Sequence, residues 1–227
     1  MLSEEDTSLE NSSVKIPSWV IYFVVLLFVI SVFGFIYFHR FSKSVHYYKL
    51  SIKTFQENDL EAAEKYITSA SDLVPDNKEI LSFKYYVSGI KNYTEDNYDE
   101  ALEFLKKYQS YNSDDSFIGQ LILSIEISRA FDEKDYSQMV KYAAQLYSDY
   151  NTGPLVILQY ASALACEYVA TENIDDYNKA MELIESARTY ELDDYNLDYI
   201  KRIEYRLTSK KIISNDEYHQ LEKEGKL

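Results

Sequence analysis

The chain has 227 residues, and 38 Asp and Glu against 23 Lys and Arg give it a formal net charge of −15. This acidic balance argues against nucleic acid as a partner, because phosphate groups need neutralising Lys and Arg side chains. Only five Gly and three Pro are present, so the raw material for tight turns is scarce and a helical chain is favoured. With a single Cys, Cys166, the chain cannot form an intramolecular disulfide.

The first predicted element is an apolar run near the N-terminus. It follows an acidic tail at residues 1–16 and occupies residues 17–39, with 20 uncharged residues from Trp19 to Phe38. As a helix this stretch extends roughly 30 Å, about the thickness of a bilayer's hydrocarbon core. The acidic leader and the length of the run argue against a cleaved signal peptide. The run is also apolar on every face, unlike a core helix, so the pattern predicts a transmembrane helix.

Charges beside this run predict its orientation. Lys15 is the one basic residue before it, and four basic residues follow it closely: Arg40, Lys43, Lys49 and Lys53. The positive-inside rule then places the rest of the chain in the cytoplasm, as a single-pass protein of the cell (inner) membrane. Bacterial proteins with a short tail, one span and a helical-repeat domain often project that domain into the periplasm, which is the close alternative.

Downstream of the apolar run, one helical pattern recurs. Aligning Ala63 with Ala101 and stepping on leads to Met139 after another 38 residues and to Ala180 after a further 41. Residues that cap helix N-termini stand four positions earlier in each copy: Asp59, Asn97, Asp135 and Asp176. Each capped helix is preceded by another helical run. Helix pairs repeated about every 34–40 residues predict an all-α solenoid.

Small and bulky residues alternate along these pairs. The first copy has Tyr47, Leu50, Ser51, Ala63, Ile67, Ala70 and Pro75, the second has Tyr85, Gly89, Ala101 and Leu105, and the fourth keeps Ala180, Ile184 and Ala187. On these residues the chain resembles the tetratricopeptide repeat (TPR) family over residues 44–192, with about four repeats. Bulky residues replace expected small ones at Tyr108, Ile127, Met139 and Leu146. These replacements, with a period of 38, predict looser or longer helices.

Residues 193–227 are predicted to form C-terminal capping helices. Four apolar residues share one face of the first: Leu197, Ile200, Ile203 and Leu207. Ser214 and Glu217 have the spacing of a capping box at the start of a second, short helix. Terminal repeats of solenoids need such shielding.

The resemblance also implies a binding groove. Positions on the first helix of each TPR pair that face the groove correspond here to Tyr48, Ile52, Phe55, Tyr86, Ile90 and Tyr93. These side chains would form an aromatic, apolar floor, without the Lys and Asn with which some family members grip C-terminal carboxylates. Such a floor suits an apolar peptide or helix, and the acidic rim favours basic partners. The alternative is that these residues form core between repeats.

Catalytic or metal chemistry has little support in the sequence. We expect none of His39, His46 and His219 to have a second ligand three or four residues away, and no Cys or paired His completes a metal site. Cys166 lies in an apolar stretch and is predicted to be buried and inert. No common catalytic motif is present. We therefore expect no catalytic, cofactor-binding or metal-binding residues, and an enzyme with an unrecognised site is the remote alternative.

The sequence thus predicts a non-enzymatic, membrane-anchored, TPR-like scaffold or adaptor that assembles a membrane-associated protein complex. One alternative is a periplasm-facing assembly factor, or a structural subunit of an envelope machine such as the flagellar motor of spirochaetes, where anchored repeat proteins of this size are known. That likeness is one of architecture. Another alternative is a subunit that self-assembles into a homo-oligomer.

Overall fold

The computed structural model describes residues 17–150 and 153–226, and every regular element in those ranges is an α-helix. The predicted acidic tail, residues 1–16, lies outside the described residues. The helices are α1 (Ser18–Gln56), α2 (Leu60–Leu73), α3 (Lys78–Thr94), α4 (Tyr98–Tyr111), α5 (Ser116–Asp132), α6 (Tyr136–Tyr150), α7 (Pro154–Thr171), α8 (Ile174–Ala187), α9 (Asp194–Ser209) and α10 (Asn215–Lys223). The predicted all-α fold is confirmed.

The helices pack as consecutive hairpins. The C-terminal part of α1 pairs with α2, and the next three pairs are α3 with α4, α5 with α6, and α7 with α8. The second helix of each hairpin also contacts the first helix of the next hairpin, and we call each such contact a joint. Stacking through three joints produces the predicted solenoid of TPR-like hairpins. α7 contacts α6, α8 and α9, so it is apolar around most of its circumference.

Each hairpin turn has the same backbone geometry. One residue in each turn has a positive φ of 58–62°, two positions beyond the first helix in the first three turns and one position beyond it in the fourth: Asn58, Asp96, Lys134 and Glu172. In the first three turns the following amide donates to the carbonyl five residues back, which is the bond that defines a Schellman motif. The spacing is 38 residues each time, and it continues to Lys210 after α9, with φ 53°. The backbone period therefore extends past residue 192.

The helix caps confirm some expectations and correct others. Asp59 and Asp135 cap α2 and α6 as predicted, each accepting from an amide three residues on at 3.0 Å. The side chain of Asn97 accepts no bond from α4; its amide lies 3.4 Å from Glu95 Oε2. The predicted cap Asp176 is wrong, because α8 begins at Ile174 and Asn173 caps it. The prediction used Ala180 to align the fourth copy, and this placed the start of α8 too late in the sequence. The positive-φ residue of the turn before α8, Glu172, keeps the 38-residue spacing.

α1 is one uninterrupted helix of 39 residues, about 58 Å long at 1.5 Å per residue. Its apolar N-terminal part is exposed and is long and apolar enough to cross a membrane. Its C-terminal part packs on α2, where Ser44 Oγ donates to the Ala70 carbonyl (2.8 Å) and Ser51 Oγ to the Ala63 carbonyl (2.7 Å). The predicted span at 17–39 and the first repeat, predicted from residue 44, therefore lie on a single helix.

The C-terminal helices cover the end of the solenoid. Ile200, Ile203 and Leu207 of α9 are buried against α7 and α8, whereas Leu197, predicted on the same face, is 46% exposed. Leu197 lies in the first turn of α9, where the helix has not yet reached the packed core. Ser214 caps α10 by accepting from the Glu217 amide at 3.2 Å, as its spacing indicated.

Candidate functional site

The predicted groove residues lie mainly between the first two hairpins. Tyr48 and Phe55 of α1 meet Tyr86 of α3 through Phe83, with ring centroids 5.3–6.2 Å apart. We call these four residues the aromatic ladder. All four are partly buried and pack against the core of the first hairpin. The ladder thus supports the first joint while keeping part of its surface accessible.

The other predicted groove residues lie further along. Ile52 is half-buried, and Ile90 packs against the core of the second hairpin together with Tyr86. Tyr93 is 38% exposed and lies beside Tyr98, with ring centroids 6.4 Å apart. The six residues therefore follow the first helices of two hairpins, and whether they bind a partner stays a prediction.

Two tyrosine hydroxyls on this surface donate to carboxylates. Tyr48 donates to Glu79 (3.1 Å), and Tyr108, which stacks on Tyr86, donates to Asp115 (2.9 Å). Burial and the hydrogen bond to Asp115 raise the pKa of Tyr108 to about 12. The pKa of Tyr48 is raised mainly by burial, and also by the charge of Glu79 and the hydrogen bond to it. Both hydroxyls remain protonated at neutral pH and are already engaged, so the aromatic rings of these two residues are what they offer to a partner.

A polar cavity of about 350 Å³ lies at the other end of the solenoid. Most of its lining residues lie on α5, α7 and α9, and the start of α10 also contributes. Its polar lining comes from distant parts of the chain: Gln159, Ser162, Arg202, Arg206, Ser214 and Asn215. We call it the arginine pocket. This pocket was not predicted from the sequence. Arg202 and Arg206 are four residues apart and directly precede Ile203 and Leu207 of the predicted apolar face, and this spacing could have indicated two buried cations.

The two arginines are held differently. Both are only 5% exposed. Arg202 bonds to Asn215 Oδ1, and its Nε lies 3.1 Å from Asp198 Oδ2, out of line for a hydrogen bond. Arg206 donates to Ser162 Oγ at 2.6 Å and more weakly to the Ile213 carbonyl at 3.5 Å. Among the described residues no carboxylate lies within 4.0 Å of Arg206, and its Nε has no hydrogen-bond partner.

Beside the pocket, one group of side chains has the composition of a metal site. Ligand atoms of Asp198, His219 and Glu222 lie within 4.8 Å of one another. Glu222 follows His219 by three residues, so the expectation that His219 lacks a second ligand at this spacing is wrong. Asp198 is already paired with Arg202, however, and that cation competes for the carboxylate. His39 and His46 are exposed on α1.

Cys166 is fully buried on α7, as predicted. Burial raises the pKa of its thiol, although the nearby charge of Arg206 acts in the opposite direction. A protonated thiol without solvent access is a poor nucleophile. Cys166 therefore acts as a small apolar residue in the core of the third hairpin.

Comparison with solved structures shows a likeness to a known helical protein. The chain is similar to a crystal structure of MamA protein, at 14% sequence identity and a TM-score of 0.41, over 67% of this chain and 97% of that one. No protein-family model and no curated protein matches the sequence.

Proposed function

We propose that this protein is a non-enzymatic scaffold, anchored in the cell membrane by residues 17–39, that holds partner proteins on its helical repeats. The observation that carries the proposal is the continuity of α1. Its exposed apolar part and the part that packs into the first hairpin belong to one helix without a break. A membrane helix built in this way would fix the position of the repeats relative to the bilayer, and a rigid solenoid would present one extended surface to partners.

The charges after the apolar run support a cytoplasmic position for the repeats. Arg40, Lys43, Lys49 and Lys53 are all exposed in the structure, so they add positive charge on the side of the apolar run that would face the cytoplasmic leaflet, which is rich in anionic lipids. The periplasmic arrangement is the alternative that the topology test distinguishes.

Anchoring and topology are tested together in cells. Lys141 on α6 is exposed, so a Lys141→Cys variant supplies a reactive thiol, and the buried Cys166 makes the unsubstituted chain the matched control. We expect the chain to resist alkaline carbonate extraction and the new thiol to react with a membrane-impermeant maleimide only after the inner membrane is opened. Release by carbonate would overturn the anchor, and labelling in intact cells would move the repeats to the periplasm.

Partner binding is tested by crosslinking in cells from a photoreactive residue at Tyr93, which is exposed, or at Tyr86 in the aromatic ladder. Lys141, on a second helix, provides the comparison position. We expect one defined membrane-associated protein to be captured from the predicted groove and to retrieve this chain reciprocally. Capture from Lys141 alone would place the binding surface elsewhere, and failure of every position to capture a protein would contradict the scaffold.

A further inference from the structure

The arginine pocket holds a positive charge that the chain itself does not neutralise. Arg206 is almost completely buried, and its acceptors are a neutral hydroxyl and a carbonyl. Removing a guanidinium from water without a counter-charge is costly. The chain carries 38 acidic residues, yet none of those in the described part lies within 4.0 Å of Arg206. The absence of a carboxylate beside Arg206 is therefore not due to a shortage of acidic residues in the chain.

The surroundings of Arg206 suit a carboxylate carried on a short hydrocarbon chain. The cavity of about 350 Å³ is roughly ten times the volume that one water occupies in the liquid. It therefore has room for a carboxylate and several carbon atoms. Phe131 and Tyr199 supply aromatic walls, with Phe131 5.6 Å from the Arg206 guanidinium. Asp132 also lines the cavity. Its exposed carboxylate repels any anion, and because each further negative charge adds to this repulsion, a ligand with a single carboxylate is favoured.

We propose that the arginine pocket binds the side-chain carboxylate of a Glu or Asp within an extended segment of a partner protein. This inference rests on the proposed scaffold function, because it names the chemistry that one partner presents. A carboxylate accepts charge-assisted hydrogen bonds from a guanidinium, which are stronger than bonds between neutral groups. It would supply the counter-charge that Arg206 lacks, and Arg202, which is already paired with Asp198, would line the same cavity.

The pocket also has the position expected of a partner site. Most of its lining comes from the first helices α5 and α7 and from α9, which packs on α7, and the predicted groove residues also lie on first helices. The aromatic ladder and the arginine pocket therefore lie at opposite ends of one series of helices. A partner segment that crosses this series would meet aromatic surface at one end and a buried cation at the other.

The test uses the full chain in lipid nanodiscs and three pentapeptides, each with a blocked N-terminus. The first has one central Glu and an amidated C-terminus, the second has Gln in place of that Glu, and the third has Gln and a free C-terminal carboxylate. We expect the Glu peptide at millimolar concentration to raise the thermal unfolding midpoint saturably. Its apparent affinity should exceed that of the Gln peptide by about tenfold or more.

Variants locate the binding. Arg206→Met removes the charge and keeps an apolar side chain, so we expect it to abolish the difference between the Glu and Gln peptides. Arg188→Met is the matched control, because Arg188 is an exposed cation on another surface that pairs with Glu185 and Glu204. If Arg206→Met fails to fold, Arg206→Lys keeps the charge without the planar fork, and we expect weakened Glu selectivity.

Several outcomes would overturn the proposal. Equal effects of the Glu and Gln peptides, or a Glu effect that survives Arg206→Met, would show that the carboxylate is not held by Arg206. Selective binding of the free C-terminus, or of inorganic phosphate instead of the Glu peptide, would assign the pocket to another anion. The crosslinking and carbonate tests do not depend on Arg206. A positive result there with a negative peptide result would reject this site and leave the scaffold standing.

Discussion

The three joints of the solenoid lie at equivalent positions in the repeat, but different side chains hold them. At the first joint Lys91 pairs with Glu64 at 2.9 Å, and at the second Arg129 pairs with Asp99 at 3.2 Å. Lys91, Arg129 and Glu167 are spaced by 38 residues, so the third joint has an acid where the others have a base. Among the residues described for α6 and α7, no ion pair connects the two helices.

Glu167 instead faces other acids. Burial raises its pKa, and the charges of Asp176 and Asp135 raise it further. The third joint is held by an apolar cluster that includes Leu146 of α6 and Val156 and Ala163 of α7. The comparison shows that a constant backbone period leaves the energetics of each joint to its own side chains. The first joint has an ion pair, with the aromatic ladder beside it between α1 and α3. The third joint, among the described residues, is held by apolar packing without an ion pair.

The largest effect is expected from removing the centre of the aromatic ladder. Phe83→Ala deletes a half-buried ring that contacts Tyr48, Phe55 and Tyr86. We expect it to lower the free energy of unfolding by about 2–4 kcal/mol, near the lower part of the range for buried aromatic residues. Urea unfolding of the full chain in nanodiscs measures this. Phe117→Ala is the control, because Phe117 is exposed, and an equal loss in both variants would contradict a special role for the ladder.

A smaller effect tests the close approach of paired helices in the second hairpin. A Cβ atom on Gly89 would lie 2.6 Å from the side chain of Leu105, so Gly89→Ala should cost about 1–3 kcal/mol through overpacking. The equivalent position in the third hairpin already holds Ile127. Gly34→Ala, with no atom within 4 Å of the added carbon, serves as the control in the same unfolding assay. An unchanged urea unfolding midpoint for Gly89→Ala would contradict the close packing of Gly89 against Leu105.

The ion pair at the first joint has an effect that depends on pH. Burial acts to raise the pKa of Glu64, but hydrogen bonds from Lys91 and Ser88 outweigh it, so the pKa of Glu64 is lowered on folding. A carboxylate with a lowered pKa stabilises the fold above its unfolded pKa of about 4.3, and this contribution is lost as the pH falls through the folded pKa.

We therefore expect Glu64→Gln to cost about 1 kcal/mol at pH 7, a value limited by the partial exposure of the pair. The difference from the unsubstituted chain should shrink progressively as the pH falls below about 4 and through the lowered folded pKa of Glu64, below which both chains carry a neutral side chain. Chemical unfolding at several pH values measures this. A difference that is constant with pH would assign the loss to packing rather than to charge.

The smallest effect comes from restoring a base at the third joint. Glu167→Lys places a cation opposite Asp135 and Asp176, as in the first two joints, and should raise the free energy of unfolding by about 0.5–1 kcal/mol at neutral pH. Glu191→Lys makes the same change in net charge at an exposed position between α8 and α9. An equal gain from both variants would indicate relief of the overall negative charge and would contradict the comparison between joints.

The sequence by itself determined the features that depend on local spacing. These features are the helical periodicity, the pairing of helices into a solenoid, and the caps at Asp59, Asp135 and Ser214. The residues that specify each of them lie within a few helical turns of one another in the sequence. The features could therefore be predicted from neighbouring residues alone. The predicted N-cap of α8, Asp176, was wrong. Helix packing tolerates a small residue at a shifted position, Ala180, whereas the backbone turn at Glu172 keeps the 38-residue period.

Tertiary structure alone decided where distant polar groups meet. The arginine pocket combines α5, α7, α9 and the start of α10, so Arg206 meets Ser162, 44 residues away, only after the hairpins have stacked. The same holds for Glu64 and Lys91, and for the acids around Glu167. Burial and charge pairing depend on which faces the stacked helices turn toward each other, and residue spacing along the chain does not specify those distances.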